Sequence, residues 1–274
     1  MKKIFLVTLS VFASFLMFKS TTVIYADSSI QQPPVATKQE EIANIPDVVF
    51  KRYINTQIFH RAPETDVLIS ELNGLTGEVS LYNPAGWPAE SNAFSDLTGI
   101  EHMVNVESLK LANQKISDLK PLSTLTNLKE LDLSDNNISN INELSNLMNL
   151  QTLDVSNYRE YLRLTYNKVL SISALSNMSN LSTIKIENQI DAKHVSIISN
   201  EFKLPVDIRD INGSVIRAVT PTNNGIYDPK TNTVIWNNVL TAQPEKMTYQ
   251  WNNIEESANR TIHFSGEKGV VAYY

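Results

Sequence analysis

The chain has 274 residues, no cysteine and a formal charge of −6. Without cysteine there is no disulfide staple, no thiolate nucleophile and no cysteine-held metal, so a core has to close by packing alone. The acidic balance argues against non-specific nucleic-acid binding, which needs a cationic surface to displace phosphate counterions.

In chain order, Lys2 and Lys3 precede an apolar run, IFLVTLSVFASFLMF, which ends at Phe18. That run is shorter than the roughly 20 residues needed to cross a bilayer. Residues 1–26 read as a secretory signal peptide with a cut between Ala26 and Asp27. The cut removes Lys2, Lys3 and Lys19 and takes the charge from −6 to −9. Residues 27–41 carry Pro33 and Pro34 among Ser, Gln and Thr and read as a flexible leader. Residues 42–74 read as a helical cap. Val48, Val49, Tyr53, Ile54 and Ile58 approach helical spacing, Asp47 stands where an N-cap belongs, and a second amphipathic piece covers 64–72.

The stretch 105–148 organises the chain. It consists of two 22-residue units, NVESLKLANQKISDLKPLSTLT and NLKELDLSDNNISNINELSNLM. Val106, Leu109, Leu111, Ile116, Leu119, Leu122 and Leu125 recur as Leu128, Leu131, Leu133, Ile138, Ile141, Leu144 and Leu147. This is a leucine-rich repeat. Its L-x-L segment predicts a short parallel strand with both leucines inward, and the Gln114 and Asn136 amides fall at the turn after it. The period-three tail suits a 3₁₀ or extended return better than an α-helix, and Pro121 is compatible with that. No unit buries its apolar face alone, so the units must stack as an α/β-class solenoid over 75–195.

The first unit is incomplete. Val79 and Leu81 predict its strand, and Phe94, Leu97, Ile100 and Met103 its tail; 82–91 form an expanded loop. Trp87 lies in that loop between Gly86 and Pro88, either as a lid on the cap or as an exposed aromatic contact. The third unit starts in phase with Leu150, Leu153 and Val155, then loses phase. Asn167, Val169, Ile172, Leu175 and Met178 recover the pattern nine residues late, which places a nine-residue insertion near 156–166. A fourth strand comes next, with Leu181, Ile184 and Ile186. From 196 to 274 short β-rich runs alternate with NG, TNNG, DPKTN and SGEKG turns, which predicts a small all-β sandwich. Trp236 and Trp251 belong in that sandwich or its junction with the repeats.

Catalytic chemistry has little support. His60, His102, His194 and His263 are scattered, there is no H-E-x-x-H or G-x-S-x-G motif, and the Asp and Asn ladder around Asp135 and Asn136 suits turn chemistry. No metal, cofactor or catalytic residue is expected. The outward strand positions, among them Lys129, Asp132 and Asp154, are small or charged and none is aromatic. The insertion supplies Tyr158, Arg159, Tyr161 and Arg163, of the residue types that most often dominate interface energy. These four, with Lys129, Asp132, Asp154 and Trp87, are the candidate partner-binding residues.

The order of exported leader, helical cap, 22-residue repeats and β module, without linkers, resembles the internalin family of Gram-positive bacteria, chiefly Listeria. The segment SDLTGIEHMVNVESLKLANQKISDLKPLSTLTNLKELDLSDNNISNI is close to that family's wording, and 205–273, with VIW and FSGEKGVV, is similar to its immunoglobulin-like domain. The resemblance implies a secreted, non-catalytic protein that binds a host protein, with a cell-envelope binding role as the alternative. No Leu-Pro-x-Thr-Gly sorting motif is present, so the expectation is a small, released, monomeric member without membrane insertion.

Overall fold

A computed structural model describes residues 40–81, 92–157, 167–196, 199–242, 246–256 and 259–273. Residues 1–39 of the expected signal and leader lie outside them, as do Trp87, Tyr158, Arg159, Tyr161 and Arg163. Among the described residues no helix is long and apolar enough to cross a membrane.

The cap begins with α1 (Val48–Tyr53). Asp47 caps it: its Oδ1 accepts from the N–H groups of Val49 and Phe50 at 2.9 and 3.1 Å. Its Oδ2 accepts from the Ser95 N–H at 3.0 Å, so one carboxylate ties the cap to the first repeat tail. A π turn, Ile54–Ile58, continues α1. The buried face is Phe50, Tyr53 and Ile54, whereas Val48 is 68% exposed, because the first helical position points away from the repeat layer. Phe50 and Tyr53 both pack on Phe94, at ring-centroid distances of 5.1 and 5.6 Å. The second helix, α2 (Ile69–Asn73), starts later than the pattern suggested. Arg61 Nη2 and the Leu68 N–H, both 2.8 Å from Glu71 Oε2, hold its first turn.

The repeats supply four short strands: β1 (Gly77–Ser80), β2 (Val106–Lys110), β3 (Glu130–Asp132) and β4 (Thr152–Asp154). All are parallel, and Val79, Leu109, Leu131 and Leu153 stand side by side in register. Each return is a 3₁₀ turn, at Ile100–His102, Lys120–Thr124, Asn142–Asn146 and Ser173–Leu175. The period-three tail residues are buried: Leu119, Leu122, Leu125, Ile141, Leu144 and Leu147 are all at most 1% exposed.

The next strand, β5 (Thr183–Ser196), does two jobs. Thr183, Ile184 and Lys185 pair with β4 as the fourth repeat strand. From Thr183 to Ser196 it also pairs, in parallel, with β11 (Thr261–Tyr273), interrupted by an irregularity at Glu187 and Asn188. Through that pairing the repeat sheet continues into the C-terminal module, in the order β1-β2-β3-β4-β5-β11-β10-β7, with β10 spanning Lys246–Glu256 and β7 Val219–Pro221. A second sheet, β6-β9-β8 (Glu201–Pro205, Thr233–Asn237, Ile226–Asp228), completes the sandwich. Its core includes Trp236, Tyr249, Trp251 and Phe264, all at most 3% exposed. One hydrophobic cluster runs from Ala43 to Val270. Tyr249 sits deep in it with its hydroxyl donating to the Pro205 carbonyl at 3.1 Å, and burial pushes that hydroxyl far above its ordinary pKa.

Candidate protein-binding surface

A short strand between two leucines leaves its middle side chains facing out, and parallel stacking aligns them across strands. Two rows result. One holds Glu78, Ser108, Glu130, Thr152, Thr183 and Thr261; the other holds Ser80, Lys110, Asp132, Asp154, Lys185 and His263. The second row places Asp132 and Asp154 on adjacent strands between two lysines. The carboxylates are held locally. Asp132 Oδ1 accepts from the Ser134 N–H and Oγ–H at 2.9 and 2.6 Å, and Asp154 Oδ1 from the Ser156 N–H at 2.9 Å. Lys110 Nζ meets Glu78 Oε2 at 2.7 Å, and that carboxylate holds the ammonium above its ordinary pKa. His263 Nδ1 lies 2.7 Å from Glu187 Oε1. The surface is a mosaic of fixed charges suited to recognising a protein, and among the described residues no group of three His, Cys, Asp or Glu is placed to hold a metal.

Two amide ladders make the strands stand in this order. Inside the turn, Gln114, Asn136, Asn167 and Gln189 succeed one another, all at most 1% exposed. Asn136 Nδ2 donates to the carbonyls of Leu111 and Leu133, both at 2.9 Å, and its Oδ1 accepts from the Ile116 N–H at 3.1 Å. Asn167 repeats this with Leu133, Val155 and the Ile138 N–H. Each amide thus satisfies backbone groups that no strand or helix pairs. At the other end of the strands, Asn105, Asn127, Asn149 and Asn180 each donate to a carbonyl of the preceding unit at 2.8 Å. This second ladder had a signal in the sequence, an Asn before the first apolar residue of each of the four units that follow the incomplete first one.

The inner ladder also locates the insertion. Asn167 occupies in its unit the place that Asn136 holds one unit earlier, so the nine extra residues are 158–166. Their two feet are clamped to each other. Asn157 Nδ2 donates to the Asn167 carbonyl at 3.1 Å, and the Asn167 N–H donates to Asn157 Oδ1 at 2.9 Å. Asn157 Nδ2 also reaches the Asn188 carbonyl at 2.7 Å. The insertion therefore leaves from the carboxyl end of β4, next to Ser156 and Asp154. Leu81, the last described residue before 92, stands at the same end of β1, and its N–H donates to the Lys110 carbonyl at 2.9 Å.

Of the described candidates, Asp132 and Asp154 stand together near this carboxyl edge. Lys129 does not join them: it precedes β3 at the amino edge and pairs with Glu107 at 2.8 Å. The strand pattern missed Glu187 and His263, which enter the surface because β11 docks on β5. These two residues are 76 positions apart in the chain, and their pairing has no local signature.

Two family models match the chain. The immunoglobulin-like domain of internalin J matches residues 191–266, and a two-copy leucine-rich repeat matches 126–159. Similar solved structures include an internalin (inlF) of Listeria monocytogenes, at 26% identity over 56% of this chain and 46% of that one, with a TM-score of 0.40. Internalin C2 of the same organism matches at 22% identity over 52% and 84%, with a TM-score of 0.24. The functional domain of InlJ, also from Listeria monocytogenes, matches at 13% over 85% and 99%, with a TM-score of 0.28. The chain thus spans about half the length of the inlF protein that it matches. No curated protein matches it. The assignment rests on the family models and their order along the chain, not on these superpositions. The chain thus carries leucine-rich repeats that share a strand with a module matched by the immunoglobulin-like domain of internalin J, and in this combination it is similar to the internalin family.

Proposed function

We propose that the chain is an exported, non-catalytic, monomeric factor that binds a host protein, and that the contact is centred where the insertion leaves the repeat sheet. In this reading 1–26 are removed, 27–41 lead into a cap over 42–74, 75–195 form the repeats and 196–274 the immunoglobulin-like module, with β5 shared across the last boundary. Tyr158, Arg159, Tyr161 and Arg163 supply the contact. Asp132 and Asp154 form its near rim, Lys129 the far one, and Trp87 a second contact from the loop on the same edge. The observation that carries the reading is the reciprocal Asn157–Asn167 clamp, which fixes both feet of a Tyr- and Arg-rich segment beside the acidic row. Tyrosine and arginine bring large contact area together with hydrogen bonds.

The test is a capture experiment with the chain from Asp27 onward, run against host-cell lysate and against bacterial wall sacculi. A host protein retained from lysate, with nothing retained on sacculi, is the expected result. Retention on sacculi alone would replace this reading with a cell-envelope role. N-terminal sequencing of protein recovered from culture medium is expected to begin at Asp27; a retained Met1 in the membrane fraction would contradict export.

A further inference from the structure

Away from the insertion, the shared sheet ends on an incompletely covered strand. β10 is 11 residues long, and β11 pairs with all of it, from Lys246 to Glu256. On its other side β7 meets only Tyr249, Gln250 and Trp251. β7 stops because the Val219 N–H turns back to the Arg217 carbonyl at 3.0 Å, which carries the chain off the edge. Residues 252–256 are therefore paired on one side only among the described residues.

The direction of the free groups is set by alternation along a strand. Thr248 aims both backbone groups at Thr222: its N–H donates to Thr222 Oγ1 at 3.1 Å and its carbonyl accepts from the Thr222 N–H at 2.8 Å. Gln250, Asn252, Ile254 and Glu256 aim theirs the same way. Thr220 stands opposite Gln250; the other three face no described strand. The side chains are equally open. Ile254 is 52% exposed, and Asn252, Glu255 and Glu256 are exposed with it. Ile254 stands opposite His263, so it extends the second outward row of the repeats by one strand.

Sheet edges are ordinarily blunted by lysine, proline, a bulge or a covering segment. Here the described residues provide none of these over 252–256, and the local charge selects what fits. A second copy pairing edge to edge in antiparallel fashion would bring Glu255 and Glu256 close to their own equivalents, and such like-charge juxtaposition is unfavourable. Other charges near the edge include Arg217, where β7 turns away, the Glu187–His263 pair on β5 and β11, Lys185 beside His263, and Arg260, which precedes the partner of Glu256 and is bound to the Leu181 and Met178 carbonyls. We propose that 252–256 dock an extended, basic segment of a partner protein, which adds to β10 as a further strand. Main-chain bonds to Asn252, Ile254 and Glu256 give affinity, a basic side chain meets Glu255 on one face, and an apolar side chain covers Ile254 on the other.

The experiment uses the full chain and labelled peptides that alternate lysine with valine or glutamate with valine. Fluorescence anisotropy measures binding, and amide hydrogen exchange locates it. The lysine peptide is expected to bind roughly tenfold or more tightly than the glutamate peptide and to slow exchange at Asn252, Ile254 and Glu256. Glu255→Lys with Glu256→Lys is expected to reverse the preference. Ile254→Pro, which removes an edge-facing donor, should abolish binding with the melting temperature kept. The proposal is overturned if the lysine peptide does not bind, if it protects other amides such as those around Asp132, or if the double charge reversal leaves the preference unchanged. Edge protection that appears without peptide and grows with protein concentration would assign the edge to a second copy and overturn it as well.

Discussion

Asn136→Ala tests whether the inner amide ladder holds the repeats together. The side chain is fully buried and serves four groups: the Leu111, Leu133 and Ser134 carbonyls and the Ile116 N–H. Its removal orphans two of them, the Leu111 carbonyl and the Ile116 N–H, whereas the Leu133 carbonyl keeps Asn167 Nδ2 at 3.1 Å and the Ser134 carbonyl keeps the Asn113 N–H at 2.9 Å. An unsatisfied buried polar group costs about 1–3 kcal/mol, and water entering the vacated space recovers part of it, so about 3–4 kcal/mol is the working figure. For a chain of this size that corresponds to a fall of about 6–16 °C in melting temperature. Asn127→Ala is the control. Its exposed side chain makes one bond, to the Val104 carbonyl at 2.8 Å, and should cost only about 0.5–1 kcal/mol. Urea unfolding followed by circular dichroism measures both, and an unchanged slope with a shifted midpoint identifies a native-state effect. Equal losses in the two variants, or a loss below about 1 kcal/mol for Asn136→Ala, would refute the reasoning.

Two further predictions concern the ends of the solenoid. The hydrogen bond from Arg61 lowers the pKa of Glu71, so the stability it confers is present above the ordinary carboxylate range and is lost as pH falls through the lowered folded value. Glu71→Gln should therefore destabilise the cap at neutral pH by about 1 kcal/mol, with the difference from wild type closing in acid; a gap that widens in acid would contradict the assigned pairing. Deleting 196–274 removes β10 and β11 and strips the partner from β5, exposing the layer of Leu181, Ile184 and Ile186. Aggregation or a large loss of melting temperature is expected; a soluble fragment that melts with the full chain would show that the repeats close without the module.

The repeat layer was legible because its signal is local and periodic. Leu109, Leu111, Leu131 and Leu133 alternate within a strand, and the tail leucines recur every three residues, so burial can be read from spacing alone. Asn167 takes up the place of Asn136 after a delay that can be counted in the sequence, and the residues of that delay lie outside the described ones. What could not be read was the fusion of repeats and sandwich into one sheet. β5 continues to Ser196 only because β11 arrives from far downstream to pair with it, and nothing within either segment announces the other. His263 and Glu187 entered the candidate surface by that route. The cap was partly legible: Asp47 fixes where α1 begins, but the exposed Val48 shows that helical spacing alone does not say which face packs. Short helices leave the choice to their contacts, here Phe94.

The central claim is that partner binding depends on the insertion clamped by Asn157 and Asn167. Its most direct test is the affinity of Tyr161→Ala and Arg159→Ala for the captured host protein, beside Lys120→Ala on the exposed start of a return turn, with melting curves for all three. A loss of about 2 kcal/mol, roughly thirtyfold in affinity, is expected for each insertion variant and none for Lys120→Ala, at unchanged melting temperature. Insertion variants that stay folded and bind within about twofold of wild type would contradict it.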